Sequence, residues 1–262
     1  MILVGTSGWQ YDHWRDVLYR DVPRRLWLER YAESFTTVEN NNAFYRLPPR
    51  ETFESWRDRT PGGFVMAVKA SRFLTHIKRL KDPEEPVHRL LTAAEGLGAK
   101  LGPVLLQLPP TLRADPGRLA ECLRHFPPHI RVAVEPRHAS WWNGETRDIL
   151  TAHNATLCWA DVLGRPTGPL WRTADRGYLR FHQGRATPWP SYGEQSLRSW
   201  LHRLTETWPI GDIYVYFNND PNAAALHNAT RFAHLAEAEG HHVTPTPSLD
   251  LLSGTRQKRQ PA

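Results

Sequence analysis

Cysteine is scarce in this chain of 262 residues: only Cys122 and Cys158 occur. They fall in a predicted helix and a predicted strand, without the close spacing of a zinc or redox motif. A disulfide framework and a thiolate metal site are therefore excluded, and both read as reduced core thiols. No apolar run approaches the roughly 18 residues that cross a bilayer, and the first strand begins at Ile2 with no basic leader before it. The expectation is a cytoplasmic protein without a membrane partner. Internal repeats, a glycine-rich phosphate loop and an H-E-x-x-H or comparably dense ligand motif are also missing. No cofactor and no metal is expected.

The remaining composition is that of a globular domain, with 40% hydrophobic and 23% charged residues. The length suits a single barrel of roughly 250 residues. Residues 1–252 are expected to form it, and residues 253–262, with Arg256, Lys258 and Arg259, a basic frayed tail. The net charge of +6 favours anionic partners. Nothing in the sequence requires more than a monomer.

One phrase recurs along the chain: an apolar, β-rich run that ends in a polar, charged or amide residue. The runs are residues 2–4 before Thr6-Ser7-Gly8-Trp9, 36–38 before Glu39-Asn40-Asn41, 64–68 before Lys69, 104–106 before Gln107, 131–134 before Glu135, 156–160 before Asp161, 178–181 before His182, and 213–217 before Asn218-Asn219-Asp220. Helical spacing of apolar residues separates most of them, near residues 24–35, 51–59, 86–97, 117–125, 145–153, 195–207 and 223–239. Asp82-Pro83, Asp115-Pro116 and Asp220-Pro221 each offer an acidic N-cap followed by proline at the first helical position. Strands alternating with helices predict a parallel sheet, and eight units predict a single (β/α)8 TIM-type barrel. Its active site lies at the C-terminal strand ends, where the polar endings converge.

Side chains two apart share a strand face. Val65, Ala67 and Lys69 form one such set, as do Leu105 with Gln107, Ala133 with Glu135, and Arg180 with His182. These point into the barrel if the polar endings do. Met66, Val68, Leu106, Val132, Val134 and Phe181 then face the helices. Long connections over residues 8–23, 70–82 and 183–194 follow the first, third and seventh strands on the same side, as binding loops do.

These phrases, in this order, resemble the YecE-like family, domain of unknown function 72, whose fold is TIM-barrel-like. The resemblance runs from about Ile2 to Leu235. It is carried by Gly5-Thr6-Ser7-Gly8-Trp9-Gln10-Tyr11, by Val38-Glu39-Asn40-Asn41-Asn42-Ala43-Phe44-Tyr45-Arg46-Leu47-Pro48, and by Lys69 with Thr75-His76. Further matches are Gln107-Leu108-Pro109-Pro110, Val134-Glu135-Pro136-Arg137-His138, Ser140-Trp141, Arg180-Phe181-His182 and Phe217-Asn218-Asn219-Asp220. Ala43 stands where the family usually has a hydroxyl, and Asn40 where a β-branched apolar residue is usual. The resemblance implies the fold and leaves the activity open.

The candidate catalytic residues are Glu135, Glu39 and His182. Two carboxylates at strand ends could divide acid and base roles, or each could pair with Lys69 or Arg137. Histidine titrates near neutrality and suits proton transfer. Lys69, Arg137 and Arg180 are expected to clamp an anion, with Gln107, Asn218, His138 and Asp161 as polar contacts. Lys69, if desolvated, could instead be a nucleophile or base. Asp220 reads as a helix cap. Trp9, Tyr11, Tyr45 and Trp141 are expected as an aromatic rim for a sugar or base. The leading reading is an enzyme acting by acid–base chemistry on an anionic, ring-containing small molecule, a sugar phosphate or nucleotide fragment. Behind it stand a metal-dependent nuclease or phosphoesterase using Glu39, Glu135, Asp161 and His182, and a non-catalytic module binding nucleic acid or protein.

Overall fold

The polar-ended runs form strands in the computed structural model, which describes residues 1–253. They are β1 (Ile2–Thr6), β2 (Thr37–Asn40), β3 (Val65–Lys69), β4 (Leu101–Gln107), β5 (Val132–Glu135), β6 (Thr156–Leu157), β7 (Trp159–Val162), β8 (Arg165–Pro166), β9 (Gly177–Gln183) and β10 (Ile213–Phe217). One expected strand, residues 156–160, is split at Cys158 into β6 and β7. The two pieces lie in different sheets, ordered β2-β3-β4-β5-β6 and β1-β10-β9-β7-β8. Pairing is parallel throughout except in the small β7–β8 hairpin.

The expected single closed ladder is therefore replaced by two parallel sheets. At one junction, β1 and β2 approach without pairing. Gly5 permits the approach, since a Cβ there would lie 2.3 Å from the carbonyl oxygen of Thr37. The Tyr31 hydroxyl fills the missing ladder position, accepting from Thr6 N–H at 3.1 Å and donating to Thr37 C=O at 3.0 Å. Backbone groups that would otherwise be buried unpaired are thus satisfied by a side chain.

Helices α1 (Trp27–Ala32), α2 (Asn42–Tyr45), α3 (Arg50–Asp58), α4 (Glu84–Ala94), α5 (Pro116–Arg124), α6 (Gly144–Ala152), α7 (Glu194–Thr207), α8 (Ala224–Ala238) and α9 (Leu249–Ser253) occupy the intervals and the end of the described chain. Of the three Asp-Pro signals, Asp115 caps as expected, accepting from Arg118 N–H at 3.0 Å. Asp82 does not: its backbone is left-handed (φ 41°) and its carboxylate meets Lys78 at 3.1 Å. Asp220 is also not a side-chain cap.

Pleating divides the apolar residues into two cores. The larger lies between sheets and helices and takes Met66, Val68, Leu106, Val132, Val134 and Phe181, as the alternation predicts. The smaller lies inside the sheets and is built from Leu3, Ala67, Leu105, Ala133, Cys158, Tyr178, Tyr214 and Tyr216. The charged strand endings share the face of this inner core, which closes the space beneath them. Among the described residues, no helix is long and apolar enough to cross a membrane. The expected basic tail, with Arg256, Lys258 and Arg259, lies outside the described residues.

Candidate active site

Strand register staggers the endings on one face: Gln107 pairs with Glu135, Lys69 with Leu105 two residues before Gln107, and Glu39 with Ala67 two residues before Lys69. Arg180 on β9 lies between Ala160 and Tyr216 and turns inward with Tyr178 and His182. It is 1% exposed and bridges the two carboxylates: one guanidinium nitrogen donates to Glu39 Oε1 at 2.7 Å and another to Glu135 Oε2 at 2.6 Å. Tyr178 OH donates to Glu39 Oε2 at 2.8 Å. Buried ions are tolerated only when paired and hydrogen-bonded in this way.

Glu135 is more heavily held. Its oxygens meet five donor contacts: Arg180, Gln107 Nε2 at 2.8 Å, Arg137 Nε and Nη2 at 3.2 and 3.1 Å, and His182 Nε2 at 2.9 Å. Burial alone would raise its carboxyl, but Arg180, His182 and Arg137 outweigh burial and hold it well below the usual carboxylate range. A carboxylate so saturated is a poor proton donor. The sequence assigned acid–base chemistry to Glu135, whereas the geometry fits it as the anion that orients His182. Because that carboxylate only accepts, Nε2 of His182 carries a hydrogen, and Nδ1 lies 3.2 Å from Asn218 Nδ2.

Lys69 is 8% exposed and has no carboxylate within ion-pair distance among the described residues. Its ammonium lies 3.8 Å from the centroid of the Phe44 ring. Burial, reinforced by the charge of Arg180, lowers its pKa to about 8. The ring attracts the cation by only about 0.5–2 kcal/mol, less than desolvation costs. Phe44 also packs edge-on against His76 at 5.0 Å and lines a cleft of about 210 Å³ with Tyr45, Ser71, Arg72 and Phe73. When Lys69 is protonated, two carboxylates face three basic side chains, leaving one positive charge uncompensated.

Other expected site residues part from this group. Asp161 pairs with Phe181 in register and shares its outward face, where Trp200 Nε1 (2.7 Å) and Gly164 N–H (2.9 Å) donate to it. Burial raises its carboxyl, and it serves the packing of α7 instead of a ligand. Trp141 is fully buried and donates to Leu112 C=O at 2.9 Å; Trp9, 3% exposed, packs edge-on against Trp56. Neither forms a rim. His138 Nδ1 accepts from Ser140 N–H at 3.1 Å and so fixes the turn leading to Trp141. Tyr45 is exposed at the edge of the cleft. Tyr11 is half-buried and donates to Ser7 C=O; burial, Asp220 and Glu39 all raise its phenol.

Asp220 belongs to a second histidine–carboxylate pair that the cap reading missed. Trp14 Nε1 donates to its Oδ1 at 2.8 Å, and His13 Nε2 lies 2.7 Å from Oδ2. Among the described residues no arginine or lysine lies within ion-pair distance of it, and burial, only partly offset by Trp14 and His13, raises its pKa to about 6. Asn222 and Ala223 immediately beyond adopt left-handed backbone (φ 56° and 57°), a strained conformation for alanine. Asn218 and Asp220, two residues apart, thereby address His182 and His13 respectively. The candidate metal ligands Glu39, Glu135, Asp161 and His182 do not assemble as a set. Among the described residues, no group of three or more His, Cys, Asp or Glu side chains is placed to hold a metal ion.

Residues 3–251 match the model of a family described as a protein of unknown function, DUF72. The chain is 26% identical to the UPF0759 protein YunF of Bacillus subtilis over 96% of this chain and 100% of that protein. It is 30% identical to the UPF0759 protein YecE of Escherichia coli K12 over 57% of this chain and 54% of that one. Among solved structures, a DUF72 family protein of Thermotoga maritima aligns with a TM-score of 0.78 at 29% identity, covering 90% of this chain and 99% of the other. A second DUF72 protein, from Enterococcus faecalis, gives the same TM-score at 19% identity over 95% and 99%, a likeness of fold alone. With nearly its whole described length matched, the chain belongs to the DUF72 family.

Proposed function

We propose that the two sheets are the halves of a TIM-type barrel and that its mouth is the active site of an enzyme for a small, anionic, ring-containing molecule, such as a sugar phosphate or nucleotide fragment. The observation that carries this reading is the excess of positive charge in a buried setting. Glu39 and Glu135 are balanced by Arg180 and Arg137, which leaves the charge of protonated Lys69 in excess and the outer part of the Arg137 guanidinium open to an anion. His182, held by Glu135 and Asn218, is the proton-transfer group. Exposed Tyr45 offers a ring face at the rim.

A thermal-shift comparison tests the reading. Glucose 6-phosphate, ribose 5-phosphate and nucleoside monophosphates are set against the corresponding neutral sugars and nucleosides. A ligand at 100 times its Kd stabilises the folded state by about 2.7 kcal/mol. Only phosphorylated members are expected to raise the melting temperature, and Arg137→Ala is expected to remove the shift. Equal shifts from charged and neutral members, or a shift unchanged in Arg137→Ala, would reject the anion clamp.

A further inference from the structure

Resting on that reading of the site, we propose that Lys69 is an imine-forming nucleophile and that the substrate class is a small anionic aldehyde or ketone. The placement of this lysine differs from that of others in the chain. Lys100 donates to the Thr60 carbonyl at 2.6 Å, and Lys78 meets Asp82 at 3.1 Å. Lys69 ends β3 on the inward face, buried, with an aromatic ring instead of an anion at its nitrogen. The carboxylates in its neighbourhood, Glu39 and Glu135, are both engaged by Arg180. A binding lysine would meet its anion as a cation, but a nucleophile must lose its proton, and this environment favours that loss. With an amine that titrates near 8, neutral Lys69 at pH 7 exceeds that of an ordinary lysine by more than roughly 100-fold.

The step balances without another reagent. The neutral amine adds to the carbonyl carbon, its nitrogen loses a proton, and the carbonyl oxygen gains one, giving a carbinolamine. Protonation of that hydroxyl expels water, pushed out by the nitrogen lone pair, and leaves the protonated imine. The imidazole of His182, which shares Glu135 as an electrostatic neighbour with Lys69, is suited to shuttle these protons. Arg137 would hold the anionic end of the substrate. The charged and titratable groups facing Lys69 are Glu39 from β2, Glu135 with Arg137 from β5 and its following turn, Arg180 from β9, and His76 from the connection after β3.

Borohydride trapping tests the proposal on the full-length protein without a known turnover. Glycolaldehyde phosphate and neutral glycolaldehyde are each incubated with the protein at pH 6, 7, 8 and 9, reduced, and the modified lysines mapped by peptide mass spectrometry. Reduction fixes the adduct as a secondary amine that carries the mass of the carbonyl compound less one oxygen. The expected result is labelling at Lys69 about tenfold faster than at Lys78, Lys81, Lys100 or Lys258, rising until about pH 8 and flattening there. Lys69→Arg keeps a cation and should lose the fast label. Mapping in the wild type stands even if that variant folds poorly. Labelling at Lys69 no faster than at the other lysines overturns the proposal. If the phosphate compound raises the melting temperature without a Lys69 adduct, the anion site stands and the nucleophile falls. Fast Lys69 labelling with no preference for the phosphate form supports the nucleophile and rejects the anion clamp.

Discussion

Two histidine–carboxylate pairs flank one turn of this protein, which sets Asn218 against the first and supplies Asp220 to the second, and their carboxyls shift in opposite directions. Glu135, beside His182, is held well below the ordinary range, while Asp220, beside His13, is raised to about 6. Both carboxylates are largely buried, and both receive neutral donors, Gln107 in one case and Trp14 in the other. The difference is arginine. The buried guanidinium of Arg180 meets Glu135 at 2.6 Å and that of Arg137 meets it at 3.1 Å, whereas among the described residues no arginine or lysine lies within ion-pair distance of Asp220. Burial sets the direction by default, and fixed cations, Arg180 foremost, reverse it. The first pair is therefore a permanent anion orienting an imidazole, and the second is a pair whose proton is still mobile near neutrality.

Removing the cation is the most severe way to break this contrast. Arg180→Met leaves Glu39 and Glu135 buried with one charge partner fewer each, a loss on the order of 3–5 kcal/mol. The melting temperature should fall by many degrees, and the protein is expected to recover stability at acidic pH, where the stranded carboxyls protonate. A melting temperature near that of the wild type would show that Arg180 is not the charge anchor.

The pH dependence of stability sharpens the contrast. Asp220 has a folded pKa above its unfolded value of 3.8, so between those values the folded state binds the extra proton. Its contribution is complete below about pH 4 and is lost as pH rises through about 6, amounting to at most about 3 kcal/mol. Asp220→Asn should flatten this part of the stability curve when denaturant melts of variant and wild type are compared. Glu135 has the opposite sign: its contribution is present above 4.5 and lost only as pH falls toward its depressed folded value. A wild-type curve that rises from pH 4 to 6, with Asp220→Asn unchanged from it, would contradict the assignment.

A smaller loss follows from Tyr178→Phe, which removes the donor to Glu39 Oε2 and leaves that buried oxygen unsatisfied. The expected cost is about 1.5–3 kcal/mol, with His182 and Arg137 unaffected. The exposed network on α7, where Glu194 meets Arg198 and Arg231, is the bland counterpart of the buried cluster. Glu194→Gln should leave the melting temperature unchanged within error, as surface ion pairs generally do.

Much of this site is legible in the sequence, because period-two pleating ties Ala67 to Lys69, Leu105 to Gln107 and Ala133 to Glu135 without any tertiary knowledge. Tyr178 carries the same signal, sharing a face with Arg180 and His182, although it reads as one more apolar strand residue. Register is not legible where a run is apolar on both faces. Residues 156–160 break at Cys158, which places Ala160 beside Arg180 and turns Asp161 outward. Loop aromatics are equally opaque: Trp9 and Trp141 follow strand ends, yet their connections fold back into the core. The second dyad is hidden for a different reason. Asp-Pro is a sound capping signal, and only the fold brings Trp14 and His13 from the first loop to claim Asp220.

The most direct test is a carboxyl carbon NMR titration of the wild type between pH 3 and 8, with Glu135 and Asp220 assigned by Glu135→Gln and Asp220→Asn. Arg180 as the determinant predicts that the Asp220 resonance titrates near 6 while the Glu135 resonance stays in its ionised position to well below 4.5. A Glu135 resonance that titrates at or above 4.5 would contradict it.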